Sequence, residues 1–418
     1  MPLQIGERVA LKSVGGLSAT VTKQLGEGGF SYVFLAEYYN PAAGLTSSDA
    51  SVANSTISGS SIAASSTRSI RGSNNENEAY YEEVALKVTA VRSREMRDTT
   101  AKEVALLRRL NHPNIVQVVD VQYLLNHSST LKGASTIGST TSSKTVPLHV
   151  LAMDYCNGGT ALDVVHRLGQ AKQRFHWQQL IIVFGQIANA VTYLHAQKPP
   201  IVHRDLKLEN FLVHHTQAAG SKAKITTYKL CDFGSATIGH IDVSTPKDRT
   251  AASEIIETTT SKLYRAPEMV DLYMKDTLTE KTDVWSLGCC LYSLAFCKDC
   301  FDDKSNLAII AGKYKIPEDN QYGDEFVELI DRMLTLDADY RADMPEVICC
   351  LSALYSKFPL PPRKEEITKS RLKDTAPKID ARGGAFRTDG QGVVPNYETD
   401  SRPNISSKVT RISQALVV

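Results

Sequence analysis

The spacing of apolar residues predicts a long buried helix near the middle of the chain. Apolar side chains recur at alternating intervals of four and three residues, at Leu180, Phe184, Ile187, Val191 and Leu194. Because these intervals return to one face of an α-helix, the segment predicts a buried helix that ends before Pro199. A membrane-surface helix is the alternative, but this segment lacks the basic face that such a helix requires.

Strand-like patterns dominate the chain before this helix. They cover, in chain order, about 17–25, 80–88, 115–125 and 148–155. Between the second and third of these strands, apolar positions 104, 107 and 110 recur at helical spacing and place Glu103 on a helix. The first part of the chain is therefore predicted to be a sheet with one main helix.

Polar segments interrupt and follow this pattern. Serine-rich stretches at about 41–79 and 127–145 contain too few apolar side chains to offset the entropy of ordering them. The segment 357–418 is rich in Pro, Gly and charged residues, with 12 Lys and Arg against 7 Asp and Glu. The first two are predicted to be disordered insertions, and the last a mostly disordered basic tail.

Composition and charge exclude several classes of protein. With 42% apolar residues among 418, the chain can bury a large core. Its 47 basic and 46 acidic residues nearly cancel, so the chain as a whole has no strong electrostatic potential. This balance argues against general nucleic-acid or membrane-surface binding. The start at Met1 indicates no signal peptide, and the longest aliphatic cluster, 180–184, is too short to cross a bilayer. We expect a cytoplasmic protein.

The eight cysteines show no spacing typical of a disulfide framework. Cys297 and Cys300 form a CxxC pair, for which zinc or redox chemistry is the alternative interpretation. The other candidate ligands are adjacent doublets, 289–290 and 349–350, whose side chains diverge on a helix. These cysteines are therefore predicted to be small buried apolar residues in a reducing compartment.

Three oxygen-bearing side chains occur in two short motifs after the helix. Asp205 and Asn210 lie five residues apart within 203–210, and Asp232 directly precedes Phe233 and Gly234. In phosphoryl transfer, such an Asp accepts the proton of the attacking hydroxyl, while Asn and Asp oxygens hold Mg²⁺ at the phosphates of ATP. A chance His-Arg-Asp tripeptide in a loop is the alternative, and the neighbouring motifs decide between the two.

A glycine-rich turn and a lysine precede these motifs. The turn at 26–29 lies between two strands, where backbone N–H groups can donate to phosphate oxygens. The strand 84–88 presents Lys87 to the α- and β-phosphates, and Glu103 can pair with Lys87 from the following helix. An exposed strand lysine is the alternative, which the position of Lys87 between turn and helix disfavours.

The segment from Asp232 to Glu268 is by position an activation and substrate-docking segment. Within it, 250–257 contains helix-forming Ala and Glu, and Thr250 is an acceptable N-cap, so the pattern predicts a short helix. Such a helix would hold the docking surface without a phosphate. Arg341 is the predicted ion-pair partner of Glu268.

The chain resembles a eukaryotic protein kinase over about residues 17–356, because five motifs occur in the order found in kinases. They are the glycine-rich turn, Val84-Ala85-Leu86-Lys87, His203-Arg204-Asp205-Leu206-Lys207, Asp232-Phe233-Gly234 and Ala266-Pro267-Glu268. Lys207 is similar to the lysine of serine/threonine kinases. A finer resemblance is to the Numb-associated kinase family, which includes adaptor-associated and cyclin-G-associated kinases. It is carried by Glu27–Phe30, Met153–Gly159, Lys198–His203, Leu230–Thr237 and Tyr264–Met269.

The resemblance implies an α+β class and a bilobal protein kinase fold, with a small β-sheet N-lobe carrying one main helix and a mainly helical C-lobe. The implied boundaries are an N-lobe at 17–153, a hinge at 154–157 and a C-lobe at 158–356. Residues 1–16 are then an N-terminal extension.

The resemblance also assigns expected roles. Asp205, Lys207, Lys87 and Glu103 are expected to be catalytic, and Asn210 and Asp232 to hold the metal. The expected ATP contacts are Leu25, Gly26, Gly28, Gly29, Val33, Ala85, Lys87, Met153, Asp154, Cys156 and Leu212. Structural or regulatory roles are expected for His203, Arg204, Phe233, Gly234, Ser261, Glu268, Asp283 and Arg341, with Ser261 bridging Asp205 and Lys207.

The implied function is ATP- and Mg²⁺-dependent phosphorylation of serine or threonine in proteins. Family likeness implies a clathrin-adaptor medium subunit as substrate and peripheral association with vesicle membranes, while the balanced charge predicts no nucleic-acid partner. A pseudokinase or scaffold is the alternative, and it is disfavoured because Lys87, Glu103, Asp205, Asn210 and Asp232 are all present.

Overall fold

A seven-stranded antiparallel sheet forms the first lobe in the computed structural model, which describes residues 2–28, 31–40, 70–71, 81–124, 146–217, 223–301 and 306–363. The strand order is β1-β2-β3-β5-β7-β6, with β4 beside β5. The strands are β1 Arg8–Leu11, β2 Leu17–Glu27, β3 Ser31–Tyr39, β4 Ile70–Arg71, β5 Tyr81–Ala90, β6 Val118–Leu124 and β7 Leu148–Asp154. Helix α1, Arg94–Leu107, packs on this sheet, which confirms the predicted sheet with one main helix.

The second lobe is mainly helical. Its helices are α2 Ala161–Gln170, α3 Trp177–His195, α4 Pro246–Thr259, α5 Pro267–Val270, α6 Lys281–Phe296, α7 Asn306–Ile310, α8 Asp324–Met333 and α9 Met344–Ser356. Short strands pair around the loops between the lobes: β8 Ile201–Val202, β9 Phe211–Gln217, β10 Lys224–Leu230, β11 Thr237–Ile238, β12 Ile241–Asp242 and β13 Thr277–Leu278. This arrangement is the bilobal α+β protein kinase fold.

The core of the second lobe lies between α3 and α6. The apolar residues that predicted α3 are all fully buried, from Leu180 to Leu194. Helix α6 is buried on every side, since each residue from Thr282 to Phe296 is shielded from solvent. Helix α6 has no solvent face and α3 buries a continuous apolar face, so the loop that follows β8, which is held by Asp283 of α6, has a rigid support.

Residues 2–16 are part of the first lobe, although the sequence set them apart as an extension. Strand β1 pairs with β2. Leu3, Val9 and Leu11 are buried in an apolar cluster of the first lobe that is separate from the larger core. Buried Asp120 accepts hydrogen bonds from Lys12 N at 2.6 Å and from Ser13 Oγ at 2.6 Å. A four-residue strand is too short to give a clear alternating pattern, which is why its pairing was missed.

Several predictions fall on other parts of the chain. The predicted insertions at 41–79 and 127–145, apart from 70–71, and the tail beyond 363 lie outside the described residues. Among the residues that are described, no helix combines the length and apolar character needed to cross a membrane.

Candidate active site

The loop that follows β8 brings Asp205, Lys207 and Ser261 together. Lys207 Nζ lies 3.1 Å from Asp205 Oδ2 and donates to Ser261 Oγ at 2.8 Å. The backbone N–H of Ser261 donates to Asp205 Oδ1 at 2.9 Å. Ser261 thus joins Asp205 and Lys207, but the predicted hydroxyl contacts only Lys207, and the backbone N–H makes the bond to Asp205.

Asp283, which is fully buried, holds the start of this loop. Its carboxylate accepts from the backbone N–H groups of His203 and Arg204, both at 2.8 Å, and lies 3.0 Å from His195 Nε2. Burial alone would raise the pKa of Asp283, but these hydrogen bonds and the nearby imidazoles lower it. A charged buried carboxylate therefore fixes the backbone just before Asp205.

Two residues here adopt a backbone conformation that is unusual for side chains with a Cβ. Arg204 has φ of 66° and Asp232 has φ of 59°. Left-handed conformations in residues other than glycine cost energy and concentrate at functional sites. The buried ring of Phe233 packs edge-on against His203 at 5.0 Å and joins the two strained positions.

Lys87 on β5 lies between two carboxylates from different elements. Its Nζ donates to Glu103 Oε1 on α1 at 2.7 Å and to Asp232 Oδ1 at 2.8 Å. Burial alone would lower the pKa of Lys87, but the two carboxylates outweigh it and raise the pKa above its ordinary value. The lysine is therefore a fixed cation that joins the sheet, α1 and the 232–234 motif.

Asn210 and Asp232 have the chemistry of a Mg²⁺ site. Asn210 lies in a one-turn helix at 208–210, and its Nδ2 donates to the Asp205 carbonyl at 2.7 Å, which leaves its side-chain oxygen for another partner. Burial would raise the pKa of Asp232, but the Lys87 ammonium lowers it to about 2. A charged carboxylate and an amide oxygen are hard ligands of the kind that Mg²⁺ uses together with substrate phosphates and water.

The predicted adenine contacts lie on facing strands. Ala85 on β5 is opposite Met153 on β7, and Val33 on β3 is opposite Lys87. Leu212 follows on β9, and burial raises the pKa of the Cys156 thiol to about 12, so it stays protonated. Ala85, Met153 and Val33 thus share a face of the sheet with Lys87, and Leu212 packs against the same apolar cluster.

The glycine-rich turn begins on β2. Leu25 and Gly26 lie on β2, and Gly28 N donates to Ser31 O at 2.8 Å. Gly29 lies outside the described residues.

The activation segment contains a longer helix than predicted. Helix α4 begins at Pro246, and Thr245 caps it by accepting from Asp248 N at 3.2 Å. The prediction of Thr250 as N-cap was wrong, because Thr250 lies inside the helix and donates to Pro246 O. Pro246 at the first helical position needs no amide partner, so it extends the helix by one turn.

Arg265 and Ser235 tether the end of α4, and sequence reasoning missed both tethers. Arg265 donates to Glu257 Oε1 at 2.6 Å, to Thr260 Oγ1 at 2.7 Å and to two backbone carbonyls. Ser235 Oγ donates to Thr259 O at 2.6 Å. Each contact joins residues whose positions follow no period, so no sequence pattern marks them.

The predicted pair of Glu268 and Arg341 closes the segment. Two parallel hydrogen bonds of 2.7 and 2.9 Å join the guanidinium to the carboxylate, and both side chains are buried. Arg341 also donates to the Thr335 and Lys281 carbonyls. This anchor fixes the end of the activation segment to the second lobe.

Comparisons with known proteins agree with this geometry. The family model described as protein kinase domain matches residues 73–350. A probable serine/threonine-protein kinase of Dictyostelium discoideum is 35% identical over 272 residues, which cover 65% of this chain and 31% of that protein. A second probable serine/threonine-protein kinase of the same organism is 29% identical over 359 residues, covering 85% of this chain and 26% of that protein.

The actin-regulating kinase PRK1 of Saccharomyces cerevisiae is 30% identical over 209 residues, covering 49% of this chain and 24% of that protein. The matched region thus spans less than a third of the length of each of these relatives. Since the domain match covers more than half of the chain and includes Asp205, Asn210 and Asp232, the chain belongs to the protein kinase family.

Proposed function

We propose that the chain is an ATP-dependent serine/threonine protein kinase that transfers the γ-phosphoryl group to protein hydroxyls. The observation that carries this proposal is Lys87, which donates to Glu103 at 2.7 Å and to Asp232 at 2.8 Å. A kinase needs the lysine–glutamate pair and the metal-binding aspartate in place together. Here one ammonium group connects both carboxylates.

Each group in the cleft has a role that its contacts support. Asp205 accepts the proton of the attacking hydroxyl, and Lys207, 3.1 Å from it, offsets negative charge on the phosphoryl group. Lys87 orients the α- and β-phosphates. Asn210 and Asp232 would hold Mg²⁺, which supplies neutralisation of phosphate charge when bound.

A pseudokinase or scaffold is the second candidate. Such proteins commonly lack one of the catalytic groups, whereas here Lys87, Glu103, Asp205, Asn210 and Asp232 are all present, which supports the enzyme. The bridging of Asp205 and Lys207 by Ser261 favours the enzyme further, because a purely binding module has no need to orient a general base.

Phosphoryl transfer and nucleotide binding by the full chain separate these candidates. We would measure transfer from radiolabelled ATP with Mg²⁺ to a library of Ser- and Thr-containing peptides, alongside ATP affinity. Asp205→Asn is the control, since it keeps nucleotide contacts but removes the base. Transfer by the wild type that is lost in Asp205→Asn supports a kinase; ATP binding without transfer indicates a pseudokinase.

The proposed substrate class is narrower. The resemblance to Numb-associated kinases supports action on a threonine of a clathrin-adaptor medium subunit. The proposed site of action is the cytoplasmic face of vesicle or endocytic membranes. A peptide spanning such a threonine should be phosphorylated faster than its Ala-substituted and scrambled forms; equal rates for the threonine and scrambled peptides would contradict the proposal.

A further inference from the structure

A largely buried ion pair joins the end of β7 to β10. Lys229 Nζ donates to Asp154 Oδ2 at 2.7 Å, and the two side chains are only 7% and 15% exposed. The residues are 75 positions apart in the chain. No role assigned so far requires either charge.

Asp154 is fixed at the end of β7, where the hinge begins. Its backbone N–H donates to Gln117 O at 3.0 Å, and its carboxylate also accepts from Gln117 N at 3.2 Å. The next residues, Tyr155 and Cys156, are those whose backbone is expected to meet the adenine edge. Asp154 is therefore attached to the adenine end of the cleft.

Lys229 lies on β10, three residues before Asp232. Leu230 N donates to Asn114 O at 2.8 Å, and Cys231 N donates to Asn210 O at 2.9 Å, so the strand continues rigidly into the 232–234 motif. Lys229 is thus attached to the phosphate end of the cleft, as Asp154 is attached to the adenine end.

A pair of this kind is a poor source of stability. Removing two charges from water costs about as much as their attraction returns, and apolar replacements of buried pairs are often neutral or stabilising. Its directional contact instead specifies one relative position of the two strands. The ion pair links the hinge to β10, the strand that leads to Asp232. The distance that it can fix is therefore the one between the adenine and phosphate sites.

We propose that Lys229 is a positioning residue that, through Asp154, sets the spacing between the adenine site and the phosphate site. This proposal rests on the proposed use of ATP. It predicts a specific defect: a ligand that occupies both sites should lose affinity when the pair is removed, whereas one that occupies only the adenine site should not.

The experiment compares the affinities of Mg²⁺·ATP and adenosine for the full chain by calorimetry. Lys229→Met removes one partner, and Lys229→Gln removes the charge but leaves a shorter polar side chain beside Asp154, so neither variant alters a residue expected to contact ATP. Arg332→Met is the matched control, because Arg332 and Glu346 form a pair at 3.1 Å with 6% and 13% exposure, far from the cleft. Thermal melts of all variants are recorded in parallel.

We expect both Lys229 variants to weaken ATP binding by about three- to thirtyfold while adenosine affinity changes by less than about twofold. Arg332→Met should lower the melting temperature without changing either affinity. Unchanged ATP affinity in both Lys229 variants, or an equal loss for ATP and adenosine, overturns the proposal, since the pair would then support only the fold or the hinge itself. Because binding is the readout, this outcome is separate from whether the wild type transfers phosphate.

Discussion

Two glutamate-centred ion pairs anchor opposite ends of the candidate site, and they differ in what surrounds them. In the C-lobe, Arg341 and Glu268 are 0% and 3% exposed and joined by two hydrogen bonds. In the cleft, Lys87 is 16% exposed and is shared between Glu103 and the 49% exposed Asp232. The first pair has a fixed set of partners, whereas the second is open to water and to a ligand.

The difference in exposure indicates that the two ion pairs have different roles. Arg341 also donates to the carbonyls of Thr335, Lys281 and Leu336, so its donors are committed to one arrangement. Lys87 can exchange a carboxylate for a phosphate without leaving a buried charge unpaired. We therefore expect substitutions at the first pair to act on stability and those at the second to act on turnover.

The largest effect on stability is expected from Arg341→Met. It leaves Glu268 buried without a cation, which typically costs about 3–5 kcal/mol. Urea unfolding at neutral pH measures this loss. The control is Lys275→Met, which removes ion pairs to Asp337 and Asp339, 46% and 78% exposed, and should cost about 0–1 kcal/mol. Equal losses in the two variants would contradict the contrast between buried and exposed pairs.

Lys87→Met should have the opposite profile. Removing the ammonium leaves the phosphates without an orienting charge, so turnover at saturating ATP should fall by at least about a hundredfold. The cost in stability should be smaller than that of Arg341→Met, because Asp232 is 49% exposed and the buried Glu103 loses one hydrogen bond where Glu268 loses two. Lys102→Met, at an exposed position on α1, is the control. Normal turnover in Lys87→Met would remove the role assigned to the lysine.

The sequence predicted contacts where a motif fixes both partners. Lys87 with Glu103, Glu268 with Arg341, and Ser261 with Asp205 and Lys207 are in contact in the structure. Each pair combines residue types whose charges or donors are complementary within a known order of motifs. The long buried helix was predicted for a similar reason, because one face of 180–194 is uniformly apolar.

Other contacts had no such marker. Lys229 and Asp154 meet only because the strands of β7 and β10 converge, and nothing in either local sequence indicates that geometry. The N-cap of α4 was misassigned because Thr245 and Thr250 are equally good caps by residue type, and only Pro246 distinguishes them. Strand β1 was missed because its stability comes from packing on β2 rather than from its own pattern.

A smaller effect is expected on the pH dependence of stability, and it concerns Asp232, the exposed carboxylate beside Lys87. The pKa of Asp232 is lowered to about 2, against about 3.9 in an unfolded chain. A depressed pKa stabilises the fold above about pH 4, and that contribution is lost as the pH falls through about 2. Because the side chain is 49% exposed, the contribution should be below about 1 kcal/mol.

Unfolding of the wild type and Asp232→Asn from pH 5 to 2 measures this contribution. The stability difference between them should be present at pH 5 and shrink towards pH 2. A difference that grows on acidification would contradict the assigned direction of the pKa shift.

The smallest effect is expected from removing phosphate from the activation segment. In kinases that need loop phosphorylation, the phosphate orders the segment by pairing with arginines. Here Arg265 already donates to Glu257 and Thr260, and Arg204 Nε donates to Ser235 O at 2.7 Å. These arginines have partners within the protein, so α4 is held without a phosphate on the threonines at its end.

Phosphatase treatment of the purified chain should therefore change turnover by less than about twofold, or about 0.4 kcal/mol in activation free energy. Arg265→Met should lower turnover more than the phosphatase does, because it releases the end of α4 together with the segment that carries Ser261. Mass spectrometry confirms the loss of phosphate from Thr258, Thr259 and Thr260. A large loss of turnover after the treatment would mean that a phosphate, and not Arg265, holds this segment. The contrast between Arg341, whose donors all have partners within the protein, and Lys87, which is open to a ligand, would then not extend to the activation segment.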